Sequence, residues 1–113
     1  MAKIILDTDF ILTALKYKID IIEQIRNLNL NQNICIIDKT LDELKGKKLE
    51  KLAKKFIKKI SIIKTKKDRI VDDLILEQRG VIVATQDRAL KEKLKKAKIP
   101  IITIRQKSYL KLV

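Results

Sequence analysis

The chain alternates two kinds of hydrophobic pattern. Short unbroken aliphatic runs occur at Ile4 to Leu6 with Ala2 ahead of them, at Ile34 to Ile37, Ile60 to Ile63, Val81 to Ala84 and Ile101 to Ile104. Runs without polar alternation are expected of strands covered on both faces. Between them, apolar residues recur at helical spacing. Residues 9–16 turn Phe10, Ile11, Ala14 and Leu15 inward, and residues 20–28 do so with Ile21, Ile22, Ile25 and Leu28. A brief helix over 40–44 stops near Gly46, and a clear amphipathic one over 47–59 turns in Leu49, Leu52, Ala53, Phe56 and Ile57. Asp68 opens a helix over 68–79 with the stripe Ile70, Val71, Leu74 and Ile75, closed by Gly80. The last helix, 88–98, carries Ala89, Leu90, Leu94 and Ala97 and is broken by Pro100. Polar stretches at 29–33 and 64–67 read as breaks. The tail through Tyr109, Leu110, Leu112 and Val113 makes either an edge element or a self-association surface.

Strands that alternate with helices build a parallel sheet. The expected fold is a three-layer α/β/α sandwich with a parallel sheet of about five strands, one domain spanning 1–113. In such sheets ligand chemistry gathers beyond the carboxyl ends of the strands. Acids stand there: Asp7 and Asp9 after the first strand, Glu43 after the second, Asp72 and Asp73 before the fourth, and Asp87 after it. Each has a structural reading as well. Asp7 or Thr8 can cap the first helix, Thr40 and Glu43 fit a reciprocal capping box, and Asp87 can cap the last helix. Asp72 and Asp73 flank the apolar stripe, and periodicity does not choose between them. A cluster of carboxylates on one sheet edge repels itself unless a cation sits among its members, so the set points to Mg²⁺ or Mn²⁺.

Composition narrows the chemistry further. Histidine is absent, which removes imidazole acid–base catalysis, histidine-assisted triads and ordinary zinc sites. Gly46 and Gly80 alone cannot form a glycine-rich phosphate loop, and neither Ser61 nor Ser108 stands in a nucleophile-elbow context. The single Cys35, inside an aliphatic run, reads as a small buried hydrophobe. Lys+Arg 27 against Asp+Glu 14 leaves a net charge of +13, which calls for a polyanionic partner. Lysine enrichment is also a hyperthermophile signature, and a lysine-rich helix face is often just solvated. With 4% aromatic residues, base stacking is not the basis of binding. No apolar run spans a membrane and no signal peptide is evident, so a cytoplasmic location is expected.

The ordered segments Leu6-Asp7-Thr8-Asp9-Phe10, Thr40-Leu41-Asp42-Glu43-Leu44, Val71-Asp72-Asp73-Leu74-Ile75 and Ala84-Thr85-Gln86-Asp87-Arg88-Ala89-Leu90 resemble the PIN domain nuclease superfamily. The paired aspartates and the closing Ile99-Pro100-Ile101-Ile102, followed by Arg105-Gln106, look most like its small archaeal-type branch, related to rRNA-processing nucleases and VapC-type toxins. The resemblance implies a metal-dependent endoribonuclease with Asp7, Glu43, Asp72 and Asp87 as catalytic metal ligands for Mg²⁺ or Mn²⁺. It favours Asp72 over Asp73, since the family's acid stands three residues before an aliphatic position, here Ile75. Thr85, Thr8, Asp9 and Asp73 would support the site, with Asp9 replacing the family's usual Asn. Lys47, Lys48, Lys51 and Arg88 would hold RNA, as would the lysines at 91, 93, 95 and 96. The implied partners are RNA, an antitoxin or a ribosomal particle, and a second copy as a homodimer, with no membrane. A PIN-like module that binds RNA or ribosomes without cutting is the competing reading. A phosphoacceptor receiver domain would need an acid at the end of the third strand, where Ser61-Ile62-Ile63-Lys64 has none.

Overall fold

The computed structural model describes residues 3–30, 32–66 and 68–113. Ala2, Asn31 and Lys67, which the sequence assigns to the first strand and to two polar breaks, lie outside them. In chain order the elements are β1 (Lys3–Leu6), α1 (Thr8–Lys16), α2 (Ile21–Asn27), β2 (Asn33–Ile37), α3 (Thr40–Leu44), α4 (Glu50–Ile57), β3 (Ser61–Ile63), α5 (Val71–Leu76), β4 (Val81–Ala84), α6 (Arg88–Lys96), β5 (Ile101–Arg105) and β6 (Tyr109–Leu112). They form a mixed α/β fold around one sheet in the order β3-β2-β1-β4-β5-β6.

Position in that sheet follows from side-chain character. Ile4, Ile5 and Leu6 are fully buried, and β1 is flanked by β2 and β4, both parallel to it. Ile4 and Leu6 face one core layer with Phe10, Ile11 and Ala14 of α1 and Ile21 and Ile25 of α2. Ile5 faces the other, with Val71, Leu74 and Ile75 of α5 and Leu90 and Leu94 of α6. The pleat thus sends alternate side chains of one aliphatic run into opposite layers. β3 lies on one edge of the sheet and is short, its Ile62 left exposed.

The structure corrects several expectations. The sheet has six strands, because the tail folds back as β6, antiparallel to β5 with Arg105 opposite Tyr109. A turn at Gln106 and Lys107, both at positive φ, makes that reversal. The helix expected over 68–79 is only Val71–Leu76: Asp68 does not cap it, and Ile70, expected inward, precedes it with 59% of its surface exposed. The lysine-rich helix begins at Glu50, with Lys47 and Lys48 in the preceding turn and Leu52 at its surface. Ala89 and Ala97 are exposed, leaving Leu90 and Leu94 to pack α6. The capping box at α3 does not form; its N-cap is Lys39, whose side chain makes no capping hydrogen bond.

Candidate metal and nuclease site

From β1 the chain runs to α1 and then to β2 on one side of it, whereas β4 lies on the other side. The carboxyl ends of β1 and β4 therefore flank a topological switch point, where an open α/β sheet leaves a crevice. A cleft of about 410 Å³ opens there, lined by Asp7, Thr8, Asp9, Glu43, Lys47, Ile70, Val71, Asp72 and Asp87. Five of these nine residues are carboxylates and one is a cation. They arrive from β1 and α1, from α3 and the turn after it, from α5, and from the start of α6.

Asp7 sits at the floor, 5% exposed. Its backbone N–H continues the ladder by donating to the Ala84 carbonyl, which locks the exits of β1 and β4 together. One carboxylate oxygen accepts from the Thr8 N–H at 2.9 Å, serving as the α1 cap, and the other accepts from the Thr85 hydroxyl at 2.9 Å. Capping and a site at the cleft floor are thus combined in one side chain. Burial pushes the Asp7 pKa up to about 6 against the pull of the Thr85 hydrogen bond, with the charges of Asp72 and Asp9 adding to the rise.

Glu43 is free of the capping role its spacing suggested. Its carboxylate accepts instead from the Thr8 hydroxyl, binding α3 to the start of α1 across the cleft. Asp72 is raised in pKa by burial first and then by the negative charges of Asp87 and Glu43, which places it within reach of both. Lys93 partly relieves it. Asp87 caps α6 by accepting from the Leu90 N–H at 2.9 Å, while its own N–H donates to the Thr85 hydroxyl at 3.0 Å. Thr85 is therefore the link between the two strand-exit aspartates. It is fully buried and accepts from one as it donates to the other.

A family model described as a PIN like domain matches residues 4–107. The chain belongs to that family. It is 36% identical to Ribonuclease VapC4 of Methanocaldococcus jannaschii, in an alignment covering 99% of this chain and 97% of the relative. Among solved structures, the PIN domain endonuclease Utp24 matches with a TM-score of 0.84, covering 97% of this chain and 90% of that one at 28% identity.

Within this PIN-like domain Asp7, Glu43, Asp72 and Asp87 share the cleft wall with Asp9 and Thr8, while Thr85 stands behind Asp7. Asp73, on the same helix as Asp72, is not part of the lining, so the register of α5 separates the pair that periodicity left open. Of the basic residues singled out, Lys47 lines the cleft; Lys48, Lys51 and Arg88 do not. Asp38, at the exit of β2, is turned away to accept from the Thr65 N–H and hydroxyl. Sequence reasoning missed the tie between Thr8 and Glu43, because the capping-box spacing offered Glu43 a nearer partner. It also missed the polar triplet of Gln86, Lys91 and Thr103, since nothing in a strand's sequence marks one threonine as a hydrogen-bond hub.

An oxygen-only donor set of carboxylates suits a hard cation. Asp7 and Asp72 are raised first by burial and then by neighbouring acids, and a cation among these carboxylates would relieve the second effect. Among the described residues no three His, Cys, Asp or Glu side chains already stand as a closed metal-holding group. The acids line the walls of an open cleft rather than meeting at a point.

Proposed function

We propose that this chain is a metal-dependent endoribonuclease that cuts single-stranded RNA. The carrying observation is that Asp7, Glu43, Asp72 and Asp87, drawn from four separate stretches of sequence, line one cleft at the switch point of the sheet. The relatives support it, one being named a ribonuclease and another an endonuclease. Asp7, Glu43, Asp72 and Asp87 would hold Mg²⁺ or Mn²⁺, with Asp9 beside them. When bound, the ion supplies the charge that polarises a phosphoryl oxygen and lowers the pKa of water.

The chain's own residues do the rest. Thr85 and the Thr8 N–H hold the Asp7 carboxylate in one orientation, so that its charge stays aimed into the cleft. The Thr8 hydroxyl does the same for Glu43. Lys47, the cation among the lining residues, meets the phosphate backbone as it enters an acidic pocket that would otherwise repel it. In this reading the water oxygen bonds to phosphorus and gives up a proton, the bond from phosphorus to the 3′ oxygen breaks, and that oxygen takes up a proton, with no histidine involved. The products carry a 5′-phosphate and a 3′-hydroxyl.

The chain's similarity to Ribonuclease VapC4 along nearly its whole length favours a VapC-type toxin, with an antitoxin as partner, over an rRNA-processing role on a ribosomal particle. Incubation of a labelled single-stranded RNA with Mg²⁺ or Mn²⁺ tests the activity. Cleavage that leaves 5′-phosphates and is lost in EDTA and in Asp7→Asn is expected. Binding without cleavage would support a non-cutting RNA-binding module instead.

A further inference from the structure

Ala84 ends β4 and Arg88 begins α6, and the turn between them carries two groups on which the cleft depends. Thr85 donates to the Asp7 carboxylate, and Asp87 stands in the cleft lining. Gln86, between them, joins the turn to the next strand. β4 and β5 pair as far as Ala84 and Ile102, and the Thr85 N–H adds a bond to the Ile102 carbonyl at 3.1 Å. β5 runs on to Arg105. Ile101 exchanges both main-chain bonds with Val113, so the alternate residues Ile102 and Ile104 present theirs towards β4. By Ile104 the neighbouring chain has turned off towards α6, and the Ile104 N–H is met by the Gln86 side-chain oxygen at 2.7 Å. A side-chain amide thus supplies the rung that the β4 backbone stops short of.

The partners of that amide fix its orientation. An N–H can only donate, so the atom facing Ile104 is the oxygen. The hydroxyl of Thr103, a residue 3% exposed, donates to the same oxygen at 2.7 Å and accepts from the Lys91 ammonium at 2.7 Å. Both lone pairs of the Gln86 oxygen are therefore in use, at the end of a relay that starts from a charged donor and polarises each bond in turn. Lys91 belongs to the first turn of α6, where its own N–H donates to the Asp87 carbonyl at 2.9 Å. The segment from Thr85 to Asp87 is thus held to β5 in its middle and again through the start of the helix.

We propose that Gln86 is a positioning residue for the acids that hold the metal: by pinning this turn to β5 it keeps the Thr85 hydroxyl against Asp7 and the Asp87 carboxylate at the cleft. The role rests on the metal-dependent reading of the cleft. Gln86 is not part of the lining, so it acts through its two neighbours. Removing its oxygen takes a partner from the Ile104 N–H and the Thr103 hydroxyl, both on buried residues, and releases the turn from β5.

The test measures Mn²⁺ binding at equilibrium, from the electron paramagnetic resonance signal of the free ion, in wild type, Gln86→Met and Gln86→Glu. Methionine keeps the length of the side chain and loses the acceptor, whereas glutamate keeps an oxygen for both donors. Gln86→Met should weaken Mn²⁺ binding about 10- to 100-fold, the usual cost of losing a group that orients metal ligands. Gln86→Glu should bind close to wild type. Ile57→Ala, in the core layer under α4 and away from the turn, controls for lost stability and should also bind as wild type does. Wild-type affinity in Gln86→Met, or an equal loss in Gln86→Glu or in Ile57→Ala, would overturn the role and leave the nuclease reading standing. A wild type that takes up no Mn²⁺ overturns the metal-dependent reading and this role with it.

Discussion

Asp7 carries three duties at once: it caps α1, anchors the hydroxyl of Thr85, and stands as a charge in a buried place. The last has a measurable consequence. Folding raises its pKa from the ordinary 3.8 to about 6, so the folded chain binds a proton that the unfolded chain has released. Stability without divalent ions therefore falls as pH rises between about 4 and 6 and is level above that. Asp72 is shifted in the same direction and deepens the fall. Asp7→Asn in EDTA should be more stable than wild type at pH 7, by roughly 2 kcal/mol, with the gain disappearing below about pH 4. Urea midpoints measured across that range check it, and a less stable variant with an unchanged pH profile would contradict it. Thr8 gives a second prediction at this scale. Thr8→Val keeps shape but releases Glu43, and cleavage should fall about 10- to 100-fold with the melting temperature nearly unchanged. Full activity would mean that the orientation of Glu43 does not matter.

Elements differ in how openly the sequence announced them. β1 and β4 were legible almost to the residue, because a run covered on both faces has no polar interruption and ends abruptly at Asp7 and Thr85. Asp7 and Asp87 were legible for the same reason, since strand exits are fixed once strands are; Glu43 and Asp72 lie on helices, and periodicity did not choose between Asp72 and Asp73. The α5 region was not, because Ile70 mimics the inward stripe yet lies outside the helix on the cleft wall, a tertiary placement that periodicity does not encode. Nor was β6 settled, since its alternation is compatible with a free apolar tail; Leu110, 4% exposed in the layer beneath α1 and α2, decides it. Leu110→Ala should therefore cost about 2–4 kcal/mol, whereas a loss under about 0.5 kcal/mol would mean that β6 is not integral to the fold. α6 allows its cap to be separated from its chemistry. Asp87→Asn keeps an acceptor for the Leu90 N–H and should preserve stability while abolishing cleavage; Asp87→Ala should lose cleavage and about 1 kcal/mol as well. If Asp87→Asn cuts RNA normally, Asp87 is only a cap.

At the scale of the molecule, a net charge of +13 surrounds a cleft walled mainly by acids. The long-range field draws in a polyanion, and the local field then opposes it. On the proposed function a divalent ion would resolve that conflict, because it would offset the repulsion among Asp7, Asp72, Glu43 and Asp87 and give the incoming phosphate a positive partner. No helix among the described residues is long and apolar enough to cross a membrane. The most direct test follows thermal unfolding at pH 7 while Mn²⁺ is titrated into wild type and Asp7→Asn. The account predicts that the wild-type Tm climbs with Mn²⁺ towards the form expected of a ligand bound only by the folded state, and that Asp7→Asn, though more stable at the outset, gains little. Equal gains in both proteins, or none in wild type, would contradict a shared ion site built on Asp7.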